Sequence, residues 1–219
     1  MLHREAPRSL HRVVQVTSLC ASSFIVTVER GELLFTAGQF VNLHLPGTDT
    51  SREYSLYSGE SEEHLSFLIH EVPHGAFSPL LRNVAPGSAI FLDGPYDEMF
   101  TIHYPASPHL FLATGTGIAP FHSMVSTYPN LDYHIVHGIR STQEQHECSH
   151  YTKGRYTPCI TGGGGTSFCG RVTDWLRKNL PPGSTQIYLC GSSAMVFDCK
   201  DLLSERGVEA QRIVTEPFY

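Results

Sequence analysis

The sequence predicts a two-domain protein in which an N-terminal antiparallel β-barrel is followed by an α/β domain built on a parallel sheet. From residue 11 to about residue 100, short apolar runs are separated by turn residues at near-regular spacing, which is typical of a small antiparallel barrel or sandwich. From about residue 107 onward, strand-like and helical stretches alternate, which is typical of a parallel sheet with crossover helices. We place the boundary at the Pro105–Pro108 segment, which gives domains 1–104 and 105–219.

The individual elements follow from the apolar runs and the Gly or Pro residues that bound them. In the first domain we expect strands at Val13–Val16, Phe24–Val28, Phe40–Leu45, Leu65–His70 and Ala89–Leu92, another strand ending at Arg52–Ser55, and one short helix at Phe77–Val84. In the second domain we expect strands at Leu110–Ala113, Tyr133–His137, Tyr156–Thr161 and Ile187–Cys190, with helices ending near Ser126 and covering Val172–Leu180 and Ala194–Arg206.

Composition and charge exclude several classes of function. Hydrophobic residues make up 41% of the chain, which is enough for a real core, and the net charge of −6 disfavours a nucleic-acid-binding protein. The uncharged stretch from Met99 to Leu131 is long enough to span a membrane, but its prolines and Gly-Thr-Gly turn could not keep the backbone hydrogen-bonded in lipid. The first residues lack the apolar run of a signal peptide. We therefore expect a cytoplasmic protein with no membrane span and no nucleic-acid partner.

The six cysteines are scattered without a Cys-x-x-Cys pair, which favours a reducing compartment. Their spacing does not fit the plant-type iron–sulfur pattern, so we expect no cluster in this chain. A metal site is suggested by several ligand-type residues, namely His134, His137, His146, Cys148 and His150. They lie on a predicted strand or in a polar loop and lack the paired spacing of structural zinc, so we expect no metal.

The most informative motif of the second domain is the strand-to-helix turn Thr114–Pro120. Gly115 and Gly117 allow a sharp turn and a close approach to a ligand, and Pro120 sits at a helix start where no amide is needed. The free amides of that helix start would then face a pyrophosphate. Considered alone, the motif fits a plain glycine-rich loop equally well.

The most informative motif of the first domain is Arg52-Glu53-Tyr54-Ser55. Strand alternation places Arg52 and Tyr54 on one face and Ser55 on the other. An arginine can hold a phosphate through two hydrogen bonds, and a tyrosine offers a flat surface to an aromatic ring. The alternative is an ordinary surface strand with an ion pair.

Taken in order along nearly the whole chain, these and further motifs resemble the ferredoxin–NADP reductase superfamily. The motifs are Ala37-Gly38-Gln39-Phe40-Val41, Arg52–Ser55, Gly75 with Ser78, Gly94-Pro95, Gly115–Pro120, His137-Gly138-Ile139-Arg140, Gly170-Arg171-Val172-Thr173, Cys190-Gly191 and Glu216-Pro217-Phe218-Tyr219. The chain departs from the family at Tyr96-Asp97-Glu98-Met99-Phe100, where a glycine usually precedes the phenylalanine. The resemblance implies a stand-alone FAD-dependent NAD(P)H reductase without an iron–sulfur domain.

The resemblance also implies roles for residues of the first domain. Arg52 would hold the flavin pyrophosphate, Tyr54 would stack on the isoalloxazine, and Ser55 would hydrogen-bond near flavin N5. The remaining implied FAD-binding residues are Glu53, His70, Val72, Gly75, Ala76, Phe77 and Ser78, the last four forming a turn over the ribityl and phosphate groups.

For the second domain the resemblance implies a nucleotide-binding function. Thr114, Gly115, Thr116, Gly117 and Pro120 would hold the pyridine nucleotide, with Cys190, Gly191 and Met195 near its nicotinamide. Glu216 would lie beside Ser55, and Tyr219 would cover the flavin face opposite Tyr54, where it could act as a gate. The implied catalytic set is Ser55, Cys190, Glu216 and Tyr219, in which Cys190 makes contact and is not a covalent nucleophile.

The choice of nucleotide rests on arginines. Related bacterial enzymes often have an arginine where Gly162 falls, but Arg140 and Arg171 remain available for a 2′-phosphate, so NADPH is favoured and NADH stays possible. The expected reaction moves a hydride between NAD(P)H and FAD and passes electrons to a ferredoxin, a flavodoxin or an oxygenase component. The alternatives are a flavin reductase and an electron-transfer subunit of a larger oxidoreductase or oxygenase complex.

Overall fold

The computed structural model describes residues 8–97, 99–162 and 168–218. The chain forms two compact units, one reaching to Thr101 and including His122–Thr127, the other comprising Ile102–Phe121 and the chain from Tyr128 onward. The domain boundary after residue 104 stays a prediction, and no sequence pattern indicated that His122–Thr127 would pack with the first unit.

The first unit is a six-stranded antiparallel barrel, as predicted. Its strands are β1 (Ser9–Ser18), β2 (Ser23–Glu29), β3 (Phe40–His44), β4 (Ser51–Ser55), β5 (His64–His70) and β6 (Ala89–Tyr96), with helix α1 (Ser78–Arg82) after β5. The strand order is β4-β3-β6-β1-β2-β5. Just beyond β4, the Tyr57 N–H donates to the Ser66 carbonyl of β5 at 2.8 Å, which joins the two edges of the sheet.

The barrel interior is filled by the alternate residues of its strands. Phe24, Val26 and Val28 of β2 and Phe67 of β5 are fully buried. Each contributes roughly 1.5–3 kcal/mol through removal of apolar surface from water. Tyr54 packs against this core from β4, so the strand that carries the Arg52–Ser55 motif is anchored by the barrel itself.

The segment that departs from the family pattern contains an aspartate in an unusual conformation. Asp97 has φ of 64°, in the left-handed region that a glycine would adopt without strain. Its Oδ1 accepts hydrogen bonds from the N–H groups of Met99 and Phe100, at 2.9 and 3.2 Å. Asp97 therefore makes the turn that buries Phe100 completely.

The second unit is an α/β unit with a parallel sheet, as predicted, although the sheet has six strands where the sequence indicated four. Its strands are β7 (His109–Thr114), β8 (Tyr133–Ile139), β9 (Tyr156–Ile160), β10 (Phe168–Cys169), β11 (Gln186–Ser192) and β12 (Ile213–Phe218), in the order β10-β9-β8-β7-β11-β12. The helices are α2 (Ala119–Thr127), α3 (Val172–Lys178) and α4 (Ser193–Glu205). Strand β12 was not predicted, because its partly polar sequence with Pro217 lacks a clear apolar run.

Strand β7 lies at the centre of this sheet and is buried on both faces, which explains its continuous apolar sequence. Leu110 and Leu112 belong to one core, and Phe111 stacks on Phe121 with ring centroids 4.6 Å apart. Parallel pairing brings the carboxyl ends of the strands to one edge, where ligands bind in such sheets. Within the described residues, no helix is both long and apolar enough to cross a membrane.

Candidate functional site

Strand β4 orients the Arg52–Ser55 motif by pairing with β3, with Leu43 opposite Arg52 and Phe40 opposite Ser55. The Arg52 side chain is exposed, and among the described residues its Nη1 donates to the adjacent Ser51 carbonyl alone, at 2.7 Å. Among the described acidic residues, none forms an ion pair with Arg52. The surface ion pair that was the alternative interpretation is therefore not formed with any of them, and the guanidinium can bind an anion.

Ser55 is buried, with 5% of its surface exposed. Its hydroxyl oxygen is buried and has no hydrogen-bond partner among the described residues. A buried hydroxyl without a partner costs about 1–3 kcal/mol, so such groups are satisfied when a ligand supplies the missing partner. The Ser55 hydroxyl therefore fits the flavin edge for which the resemblance proposes it.

Tyr54 is half-buried and lies near Phe77, with ring centroids 6.3 Å apart and planes inclined by 21°. Burial raises the pKa of the Tyr54 phenol to about 12, so the ring is neutral at physiological pH. A neutral ring held by core packing suits stacking against a planar aromatic ligand.

The segment that follows β5 is held by two internal hydrogen bonds. The Val72 N–H donates to the Ser78 hydroxyl oxygen at 2.9 Å, and the Gly75 N–H donates to the Val72 carbonyl at 2.9 Å. A Cβ on Gly75 would lie 2.9 Å from that carbonyl, so the turn needs glycine. His70 is the last residue of β5, Val72 and Ala76 belong to the segment that follows, and the Ser78 hydroxyl holds the backbone of that segment at Val72.

In the second unit, β7 ends at Thr114 and passes through a single 3-10 turn, Gly115–Ile118, into α2. The Thr114 Oγ1 accepts the Ser192 N–H at 2.9 Å, which ties β7 to the end of β11. A Cβ on Gly117 would lie 2.5 Å from the Cys190 carbonyl oxygen. The turn therefore packs directly on β11, whereas a Cβ on Gly115 would face open space.

Cys190 and Glu216 are brought together by the pairing of β11 with β12. The Cys190 Sγ donates to Glu216 Oε2 at 3.5 Å, and Cys190 is fully buried. Burial, and then the nearby carboxylate, raise the pKa of the Cys190 thiol well above its ordinary value. Cys190 is therefore a protonated thiol, which is suited to contact and not to nucleophilic attack.

Two further residues of the predicted nucleotide set lie at the same end of β11. Gly191 has φ of 127°, and a Cβ there would lie 2.3 Å from Thr114 Oγ1, so the close packing of β7 and β11 requires glycine. Met195 is buried in the first turn of α4, and its N–H donates to the Ser192 hydroxyl that caps the helix, at 3.4 Å.

We expect alkylation of the native protein by iodoacetamide at pH 8 to separate the two exposed cysteines from the three buried ones. Cys148 and Cys169 are exposed and should be modified first. Burial raises the pKa of Cys159 and Cys199 to about 12, and that of Cys190 well above 9, so only about one thiol in ten thousand ionises at pH 8 where the pKa is near 12. Peptide mapping before and after unfolding measures this difference. Modification of Cys190 as fast as that of Cys148 would contradict it.

Arg140 and Arg171 lie at the carboxyl edge of the sheet, after β8 and β10, and both side chains are exposed. Their backbones are fixed by carboxylates: Arg140 N–H donates to Glu144 Oε2 at 3.1 Å, and Arg171 N–H donates to Asp174 Oδ2 at 2.9 Å. A Cβ on Gly162 would lie 2.3 Å from the Arg140 carbonyl oxygen, so this backbone has no room for an arginine at position 162.

Two of the predicted site relationships stay predictions. Tyr219 lies outside the described residues, and the proximity of Glu216 to Ser55 would join one unit to the other. The contact between His137 and the carbonyl of Gly115, at 2.8 Å, was not predicted from the sequence. Its only signal was the presence of His137 in the His-Gly-Ile-Arg motif. No cluster of metal-ligating side chains was found in the described part of the chain.

Sequence models of two known domains match successive parts of the chain. The sequence model of the oxidoreductase FAD-binding domain matches residues 12–114, and that of the oxidoreductase NAD-binding domain matches residues 111–201. Ferredoxin–NADP reductase A of Sorangium cellulosum is 32% identical over 208 residues, covering 80% of this chain and 74% of the relative. The toluate 1,2-dioxygenase electron transfer component of Pseudomonas putida is 28% identical, covering 96% of this chain and 66% of the relative.

Solved structures show the same fold. The Amycolatopsis cytochrome P450 reductase GcoB has a TM-score of 0.87 at 24% identity, covering 97% of this chain and 71% of that one. A ferredoxin NADP+ reductase from Neisseria gonorrhoeae, solved with bound FAD and NADP, has a TM-score of 0.87 at 23% identity, covering 98% of this chain and 100% of that one.

The fold and the two domain matches define an FAD-dependent oxidoreductase with a pyridine-nucleotide-binding domain. The chain belongs to the ferredoxin–NADP reductase superfamily, which confirms the family predicted from its motifs. It spans 66% of the toluate dioxygenase component and 62% of the propane 2-monooxygenase reductase component of Rhodococcus jostii, which are longer proteins.

Proposed function

We propose that this protein takes a hydride from NADPH onto FAD and passes electrons singly to a ferredoxin, a flavodoxin or an oxygenase component. The observation that carries the proposal is the arrangement on β4, where three groups lie within four residues: an exposed guanidinium, a neutral aromatic ring and a buried hydroxyl that has no hydrogen-bond partner in the described part of the chain. FAD, when bound, supplies the conversion between a two-electron donor and a one-electron acceptor.

The residues of β4 would each bind a different part of the FAD. Arg52 would bind the pyrophosphate through charge-assisted hydrogen bonds, and Tyr54 would supply a rigid stacking surface. Ser55 would donate a hydrogen bond from its buried hydroxyl group to the flavin ring. Glu53 is exposed on the same strand and is available for polar contacts of the cofactor.

The residues of the second unit would bind and orient the nucleotide. The amides of the turn at Gly115–Ile118 and of the start of α2 would bind the pyrophosphate. Cys190 would contact the nicotinamide as a neutral thiol, since its proton is held toward Glu216 Oε2. This arrangement positions the nicotinamide without forming a covalent bond to it.

Anaerobic visible spectra of the purified protein, with NADPH and NADH added in separate cuvettes, test the proposal. Flavin absorbance that bleaches on addition of NADPH is the expected result. A colourless protein that also fails to bind added FAD would overturn the proposal.

Two alternatives make different predictions in simple measurements. A flavin reductase would lose its flavin during purification and release it in reduced form. An electron-transfer subunit of an oxygenase system is favoured by the relatives named as electron transfer components of dioxygenases. It would co-purify with a partner chain and reduce artificial dyes slowly alone.

We expect Arg140→Ala and Arg171→Ala each to raise the KM for NADPH about tenfold and to leave the KM for NADH unchanged. Each loses one charge-assisted contact to the 2′-phosphate, which NADH lacks. Steady-state dye reduction with both nucleotides measures the effect. Arg206→Ala is the matched control, because Arg206 is also an exposed arginine of this unit but lies at the C-terminal end of α4, away from the carboxyl edge of the sheet. Equal changes for NADPH and NADH would refute the assignment.

We infer that the protein works in the cytoplasm. All six cysteines are free thiols in the structure, including two that are exposed. Free exposed thiols persist in a reducing compartment. Detection of the native protein in the soluble cytoplasmic fraction of fractionated cells, and not in other fractions, would support this localisation.

A further inference from the structure

His137 is a buried histidine whose two ring nitrogens both have partners. It lies on β8 opposite Ala113 of β7 and is 2% exposed. Its Nε2 lies 2.8 Å from the carbonyl oxygen of Gly115, and its Nδ1 lies 2.9 Å from the hydroxyl oxygen of Tyr156. The histidine thus connects the nucleotide-binding turn to strand β9, which carries Tyr156.

The chemistry of these partners fixes the tautomer of His137. A carbonyl oxygen can only accept, so Nε2 carries the hydrogen and donates it to Gly115. Burial lowers the pKa of His137 to about 4, which keeps the ring neutral and leaves Nδ1 as an acceptor. The Tyr156 hydroxyl group therefore donates a hydrogen bond to Nδ1, and this bond favours the tautomer that can donate to the Gly115 carbonyl.

The contact with Gly115 controls the direction of the next amide. Because a trans peptide is planar, its C=O and N–H point in opposite directions. When His137 draws the Gly115 carbonyl toward β8, the N–H of Thr116 is turned away from β8. Gly115 has φ of 53°, is exposed, and has open space where a Cβ would be, so a ligand can approach the turn here.

We propose that His137 is a positioning residue for the pyridine nucleotide, holding the Gly115 carbonyl so that the Thr116 amide faces the phosphates, while Tyr156 keeps His137 in the required tautomer. This inference rests on the proposed function of the turn. It assigns a role to a buried imidazole that the chemistry described above does not use. Because the turn serves the part of the ligand that NADPH and NADH share, loss of His137 affects both nucleotides equally.

The test uses the full-length protein with bound FAD and four variants, H137L, H137Q, Y156F and H134L. Binding of NADP+ and NAD+ is measured by isothermal titration calorimetry, and KM and kcat are measured by dye reduction. H137L removes the donor and is expected to raise the Kd and KM of both nucleotides about tenfold, with kcat and FAD content within about twofold. H137Q keeps an N–H donor at similar reach and is expected to bind within about threefold of the wild type.

The matched control is H134L. His134 lies on the same strand, and its Nε2 also bonds a neighbouring side chain, the Thr157 hydroxyl, at 3.0 Å. It lacks a contact with the turn among the hydrogen bonds of the described residues, so H134L is expected to leave both Kd values unchanged. Y156F is expected to weaken both nucleotides about threefold, since the tautomer is no longer selected. If H137L does not fold, Y156F against H134L still tests the inference, because Y156F is expected to weaken both nucleotides about threefold and H134L to leave them unchanged. Equal Kd values in Y156F and H134L would then overturn it.

The possible outcomes separate this inference from the proposed function. A wild-type protein that binds neither nucleotide would overturn the proposed function and the inference together. A wild-type protein that binds normally, with H137L binding equally well, would overturn the inference alone. Equal weakening in H137L and H137Q would also overturn it, because a donor to Gly115 would then not be what matters.

Discussion

Arg52→Ala is expected to give a folded protein that has lost most of its bound flavin. Charge-assisted hydrogen bonds contribute about 1.5–3 kcal/mol, so the Kd for FAD should rise about 10- to 100-fold. The Arg52 side chain is exposed and, among the described residues, makes one hydrogen bond, to Ser51, so its removal should change the free energy of unfolding of the apoprotein by no more than about 0.5 kcal/mol. The ratio of flavin to protein absorbance after gel filtration measures the retained flavin. Thermal unfolding of the apoproteins measures the change in stability.

Two further variants make this prediction specific. Arg52→Lys keeps the charge but loses the planar pair of donors, so an intermediate loss of flavin is expected. Arg12→Ala is the matched control, because Arg12 is another exposed arginine of the first unit and also bonds one backbone carbonyl, that of Gly87 at 3.1 Å. Flavin retained by Arg52→Ala at the wild-type ratio would mean that Arg52 does not anchor the pyrophosphate.

Those parts of the fold that depend on local pattern were predictable from the sequence. Apolar runs of the right length between Gly and Pro turns located β2, β5 and β7, and the change of pattern near residue 107 separated the barrel from the parallel sheet. Strand β12 was missed because an edge strand that is only half-buried needs no apolar run. Its pairing with β11 places Glu216 against Cys190, a contact that spans 26 residues and leaves no local signal.

The same contrast between local sequence pattern and long-range contact applies to the candidate site. The turn at Gly115 and Gly117 was predictable because glycine there reflects backbone requirements, a left-handed φ at one position and close packing at the other. The role of His137 was not predictable, because a histidine on a strand looks the same in sequence whether its ring faces solvent, a metal or a carbonyl. Only the register of β8 with β7 brings its ring to Gly115.

Gly117→Ala is expected to destabilise the protein and to abolish tight nucleotide binding. The added Cβ would lie 2.5 Å from the Cys190 carbonyl oxygen and 2.6 Å from the Gly191 nitrogen, and both are backbone atoms of β11 that cannot rotate away. Overpacking of this kind costs about 1–3 kcal/mol, which would lower Tm by roughly 2–10 °C. Relief of the clash requires the turn to move off β11, so the Kd for NADP+ should rise at least about tenfold.

Glycines of the same unit provide graded controls for this argument. Gly183→Ala adds a Cβ that meets nothing within 4 Å, so Tm and nucleotide binding should be unchanged. Gly115→Ala meets no protein atom either, but places alanine at φ of 53°, at a cost of about 1–2 kcal/mol. If packing on β11 is what the turn requires, Gly117→Ala must be more destabilised than Gly115→Ala. The reverse order would show that the left-handed backbone, and not the close approach to Cys190, determines the shape of the turn at Gly115–Ile118.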